Sequence, residues 1–188
     1  YTHDPLAKTF SFNWTNFDII MAAAVSKGFK NIDVSFRWNV PKEEIIVFGS
    51  SFNESVIDAY TKIWSHLSAN NWTDYSIVDL GYSYTDSEIE DVSKMIKLIK
   101  SVSSDIKILA GAPLSIETLK AFSKVDIWAI SQVDLQNSAY LVDSLLSSGK
   151  DILIAIEPKT QMPFMNLKLT NPLIHARLIP LLVFRFNV

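Results

Sequence analysis

The residues in this sequence best suited to chemistry are a few carboxylates and a set of large aromatic rings. Glu157 follows the apolar run 152–156, which reads as a strand, so it stands at that strand's C-terminal end. Where parallel strands close into a barrel, active sites gather at that end. Asp79 falls within the apolar run 75–81, as a buried paired carboxylate or as an acid at the strand mouth. Asp86 and Glu88 open an amphipathic stretch, where acids suit helix capping and the helix dipole. Asp79, Asp86 and Glu157 are thus the acids to weigh for acid–base work. Trp38, Trp72 and Trp128 offer flat rings that either stack on a ligand or pack the core. Asp33 and Arg37 alternate with Ile32, Val34 and Phe36, so they share one strand face, lining an interior or forming a buried ion pair. His66 suits a helix-end cap, and Arg177 suits pairing with an acid on a neighbouring helix.

Composition removes several other chemistries. The 188 residues contain no cysteine, which excludes disulfides, thiolate nucleophiles and Cys-based metal sites. The three histidines lie far apart in sequence, so no metal site and no cofactor is expected. A net charge of -3 gives no basic field for nucleic acid or an anionic membrane surface. The longest apolar runs fall far short of a membrane span. Hydrophobic residues make up 48% of the chain, enough for a sizeable core. Three sequons, at Asn13, Asn53 and Asn71, are compatible with a glycosylated, secreted or cell-surface protein. The chain opens at Tyr1 without a leader pattern, so the expectation is a processed product or an excised segment.

These side chains must be positioned by elements that alternate along the chain. Helical patterns cover 16–27, 53–70, 86–102, 115–122, 138–148 and 172–186, with Gly28 and Gly149 closing two of them. Pro180 divides or kinks the last. Strand patterns cover 30–38, 43–48, 75–81, 105–110, 125–130 and 151–156. Such a rhythm predicts parallel βα units. A doubly wound open sheet usually carries a glycine-rich first βα turn. Only five glycines occur, against about 13 at average usage, and no phosphate-binding glycine motif is present. The fold class expected is therefore α/β, an incomplete (β/α)8 barrel of TIM type, since a full one needs about 250 residues. Residues 1–188 read as a single barrel segment of a longer chain.

Four stretches in order carry a resemblance. They are Tyr60 to Leu67 followed by Asn71-Trp72; Ser104-Asp105-Ile106-Lys107-Ile108-Leu109; Val125-Asp126-Ile127-Trp128; and the closing segment. That segment runs from Gly149-Lys150 through Glu157-Pro158, Gln161-Met162-Pro163-Phe164-Met165-Asn166 and Pro172 to Pro180, with Ala176-Arg177-Leu178 inside it. Across residues 55–186 the sequence resembles the catalytic barrel of the β-N-acetylgalactosaminidases of glycoside hydrolase family 123 and related uncharacterised domains. The resemblance implies a site where a strand ends in an adjacent Asp-Glu pair. The Glu is the general acid, and the Asp orients the substrate's own 2-acetamido group for attack on the anomeric carbon. In this sequence those positions fall on Tyr82 and Ser83, and no adjacent Asp-Glu pair occurs anywhere.

A phenol and a serine hydroxyl do not replace a carboxylic acid of raised pKa. Nearby acids lie about 10 Å away along a strand, and misplacement by 1 Å already costs catalysis heavily. The expectation is a degenerate glycosidase-like barrel, acting as a carbohydrate-binding or structural module. The alternative is an active hydrolase of N-acetylhexosaminides working by substrate assistance. Expected partners are a glycan, contacted through Trp38, Trp128 and Glu157, and other parts of the same longer polypeptide or assembly.

Overall fold

The computed structural model describes residues 1–4, 6–36, 50–82 and 84–155, without the side chains of Ser50, Ser51 and Asp86. The expected strand 43–48 and the helix 172–186 lie outside these residues. Within them the α/β expectation holds, with parallel strands alternating with helices. The chain divides into two compact units, one of residues 1–79 and 94–107, the other of residues 80–93 and 108 onward.

The first unit opens with an antiparallel hairpin, β1 (Thr2–Asp4) and β2 (Thr9–Ser11), which the sequence patterns did not announce. Three-residue strands carry too little alternation to be read. The Asp4 carboxylate turns the hairpin by accepting the backbone N–H groups of Leu6 and Ala7. α1 (Thr15–Ser26) follows, and α2 (Ser50–Ala69) buries Val56, Ala59, Tyr60, Ile63 and Leu67 along one stripe. Two polar residues of α2 fasten the hairpin. Asp58 accepts the Phe10 N–H at 2.7 Å, and Lys62 donates to the Phe10 carbonyl at 2.6 Å. Phe10 itself is 1% exposed and is ringed by Tyr1, Phe12 and Phe36. β3 (Ile32–Asp33) pairs in parallel with β4 (Ser76–Asp79) in the same unit.

Tyr60 is buried at 6% exposure. Desolvation pushes its phenol up to about 12, opposed by a hydrogen bond with the Phe36 backbone and reinforced by the Asp33 charge. An unfolded chain ionises its tyrosine near pH 10. This group's contribution is therefore fully present below pH 10 and is lost as pH rises from 10 to about 12, by roughly 3 kcal/mol in total. Tyr60→Phe should flatten that part of the stability profile, measured by urea unfolding between pH 8 and 11.5. An alkaline slope equal to that of the parent would refute the assignment.

α3 (Asp86–Val102) is shared covalently, its first half in the second unit and its second half in the first. Its bounds match the expected 86–102, and Ile96 and Ile99 are buried on its apolar face, where the polar Ser93 is buried too. Glu88 acts as the expected cap. Its carboxylate accepts the Thr85 N–H at 2.8 Å and the Thr85 hydroxyl at 2.7 Å.

The second unit is built on three parallel strands, β5 (Ile108–Ala110), β6 (Ile127–Ser131) and β7 (Asp151–Ala155). The register aligns Leu109 with Ile127, Ile130 with Ile154 and Ser131 with Ala155. Between them lie α4 (Ile116–Ala121), α5 (Gln132–Asn137) and α6 (Ala139–Ser147). α4 starts with a reciprocal cap between Ser115 and Thr118. α5 went unread, because six residues do not complete two helical turns of periodic pattern. Gly149 follows α6 at φ +75°, the left-handed conformation that ends a helix without steric cost when no Cβ is present. The core of this unit holds Phe122, Val125, Trp128, Ile130 and Leu135, each under 2% exposed.

Candidate functional site

The side-chain alternation along β6 sorts its residues between two faces. Trp128 and Ile130 share one face, where the Trp128 ring packs on Phe122 with centroids 5.9 Å apart. Ala129 and Ser131 take the other face and line a cavity of about 330 Å³. The same cavity is lined by Ala112 and Pro113, just past β5, by Tyr82 and Tyr84 between β4 and α3, and by Asp134 on α5. It therefore opens at the C-terminal ends of β5 and β6, the end where parallel βα folds place ligands.

The segment after β4 reaches this cavity because it continues to hydrogen-bond beside β5. Leu80 N–H donates to the Leu109 carbonyl at 2.9 Å, and Gly111 N–H donates to the Gly81 carbonyl at 3.0 Å. Gly111 makes that approach possible. A Cβ added there would meet the Ala129 carbonyl oxygen at 2.1 Å and the Tyr82 Cβ at 2.9 Å. Tyr82 is 45% exposed, whereas Tyr84 donates its hydroxyl to the Leu80 carbonyl and sets its ring edge against Phe122.

The carboxylate in the cavity wall is Asp134, which sequence reading missed. Its Oδ2 accepts the Ser131 hydroxyl at 2.7 Å, and its Oδ1 accepts the Leu114 N–H at 3.2 Å. The Asp134 N–H returns to Ser131 Oγ at 3.1 Å. The signal was the spacing Ser131-x-x-Asp134 at a strand end. By itself that spacing reads as an ordinary helix cap. Only the cavity beside it gives the acid a further use.

The other candidates are distributed as follows. Tyr82 lines the cavity; Ser83, Trp38, Arg37, Glu157 and Arg177 lie outside the described residues. Asp79 ends β4 in the first unit, half-buried. Its N–H donates to Ser35 Oγ at 2.6 Å, and Ser35 donates back to the Asp79 carbonyl at 2.9 Å. Asp33 accepts the Ser35 N–H at 2.8 Å, which fixes the exit of β3. Asp86 starts α3. Trp128 is 1% exposed, and its indole Nε1 has no hydrogen-bond partner among the described residues. Trp72 is half-buried near His66. His66 does not cap its own helix. Its ring stacks on Trp14 at 4.1 Å and its Nε2 meets Asp18 Oδ1 at 2.6 Å, joining α1 to α2. Asn13, Asn53 and Asn71 are all exposed. Among the described residues no group of three or more His, Asp or Glu could hold a metal ion. None of their helices is long and apolar enough to cross a membrane.

No family model and no curated protein matches the chain. Among solved structures, a family 123 glycoside hydrolase from Clostridium perfringens, described for glycolipid glycan hydrolysis, is similar to it with a TM-score of 0.60 and 17% identity. The match covers 82% of this chain and 31% of that enzyme's chain. At this identity the likeness shows a glycoside-hydrolase-like α/β fold.

Proposed function

We propose that this chain is an incomplete TIM-type barrel of glycoside-hydrolase ancestry that no longer hydrolyses glycosides and instead binds carbohydrate. It serves as a binding or structural module of a secreted or cell-surface protein, within a longer polypeptide. The observation that carries the reading is Tyr82. The position that resembles the orienting Asp of the family holds a phenol, and that phenol lines the cavity at the strand ends. The adjoining position that would hold the general acid is Ser83.

Glycoside cleavage needs a carboxylic acid to protonate the leaving oxygen and a second group to meet the developing positive charge. Among the described residues the cavity lining holds one carboxylate, Asp134, with uncharged residue types around it. That set suits binding: hydroxyl and carboxylate groups to receive sugar O–H donors, and an exposed tyrosine ring to stack on a sugar's C–H face. The solved relative acts on glycolipid glycans, which supports a sugar as the ligand class.

The test is incubation of the protein with aryl β-N-acetylgalactosaminide and aryl β-N-acetylglucosaminide. No phenol release above the buffer rate is expected. Release that disappears in Asp134→Asn, Asp79→Asn or Glu157→Gln would establish the alternative, an active N-acetylhexosaminidase.

A further inference from the structure

We propose that the cavity bounded by Tyr82 and Asp134 selects an amino sugar with a free, protonated amine, held by the Asp134 carboxylate. This rests on the carbohydrate reading above and narrows its ligand. A volume of about 330 Å³ lies at the small end of ligand sites, which run from about 300 to 1,000 Å³. It accommodates one ring and not a chain of them.

The charge pattern does the selecting. Of the seven described lining residues Asp134 is the one acid and none is a base, and the tyrosines Tyr82 and Tyr84 are the other titratable groups. Asp134 takes part in no ion pair among the described residues. Its two hydrogen bonds come from neutral donors, the Ser131 hydroxyl and the Leu114 amide. They hold the carboxylate in place from two sides without neutralising it. A carboxylate offers about four acceptor positions, so roughly two stay open toward a ligand.

A ligand that covers this site strips water from the remaining acceptor positions. A sugar hydroxyl repays that with a neutral hydrogen bond, whereas an ammonium makes a charge-assisted one, roughly twice as strong. A uronate or a sugar phosphate brings like charge and is repelled. The exposed Tyr82 ring adds to the preference, because an aromatic face attracts a cation. The small side chains of Ala112, Ala129 and Ser131 in the lining leave the ring room beside the carboxylate.

The experiment is a calorimetric or ligand-observed NMR titration of the protein. The probes are galactosamine, glucosamine, their N-acetyl forms, glucuronic acid and the ring amine cyclohexylamine. At a pH where the amines are protonated, the amino sugars should bind about tenfold more tightly than the N-acetyl forms, and glucuronic acid should not bind. Asp134→Asn, which keeps the size and an acceptor oxygen, should erase the preference. Raising the pH until the sugar amine is neutral should erase it in the unaltered protein, a control that needs no variant. Equal affinity for amino and N-acetyl sugars, or a preference that survives both changes, overturns the amine selectivity and leaves carbohydrate binding standing. Cyclohexylamine binding as tightly as galactosamine, through Asp134, overturns the carbohydrate reading and leaves the role of the carboxylate. Failure of every sugar to bind overturns both.

Discussion

Gly111→Ala is expected to lower the melting temperature by roughly 6–12 °C and to disrupt the cavity at the strand ends. The added Cβ would stand 2.1 Å from the Ala129 carbonyl oxygen and 2.9 Å from the Tyr82 Cβ. One of those neighbours is backbone of β6, held in register with β5 through Leu109 opposite Ile127 and Ala110 opposite Trp128. It cannot rotate away as a flexible side chain would. Overpacking typically costs 1–3 kcal/mol, and backbone contact puts this case at about 3 kcal/mol or above. At about 2–4 °C per kcal/mol for a chain of this size, the melting shift follows.

The displacement of Tyr82 should also weaken ligand binding beyond what the stability loss explains. Gly149→Ala is the control. It too replaces a glycine, at φ +75°, but nothing lies within 4 Å of its added Cβ. Its cost is the left-handed backbone alone, about 1–2 kcal/mol, with no effect on the cavity. If the two variants melt together, the close approach at Gly111 is not what the site depends on.

Trp128→Ala is expected to cost about 3–5 kcal/mol, the range for emptying a buried large aromatic. Melting should fall by roughly 6–20 °C. The ring is 1% exposed and packs on Phe122, which is fully buried, on the strand face opposite Ala129 and Ser131. Trp128→Phe should cost much less, because it keeps most of the ring and removes an indole N–H that has no partner among the described residues. The informative comparison is stability against sugar affinity. A Trp128→Ala protein that stays within about 1 kcal/mol of the parent but loses sugar binding would make Trp128 a ligand platform. The packing seen here predicts the reverse order of effects.

How much of this could be read before the structure depends on the range of the interactions involved. α3 was legible to its end residues, because apolar spacing and terminal charges are both local. The strand at 125–130 was legible to within two residues as β6, since a short apolar run between turn residues has few other uses. The hairpin of β1 and β2 was not, because Asp58 and Lys62 hold it from about 50 residues away. His66 looked like a helix cap by position, yet its partners Asp18 and Trp14 come from another helix. Asp134 was hidden for a similar reason: its local pattern is fully explained by capping Ser131.

The sequence by itself determined the βα alternation, the lack of thiol chemistry, and the absence of any adjacent Asp-Glu pair. Those follow from residue identity and from periods of two or 3.6 residues, which need no distant partner. Only the tertiary structure decided which carboxylate faces the cavity and which tryptophan is buried. Tyr82, Ala112, Ala129 and Asp134 are spread over more than fifty positions. What brings them to one wall is the parallel register of β5 with β6 and the close backbone approach at Gly111. A shift of one residue in that register would turn Ala129 and Ser131 away from the cavity and Trp128 toward it.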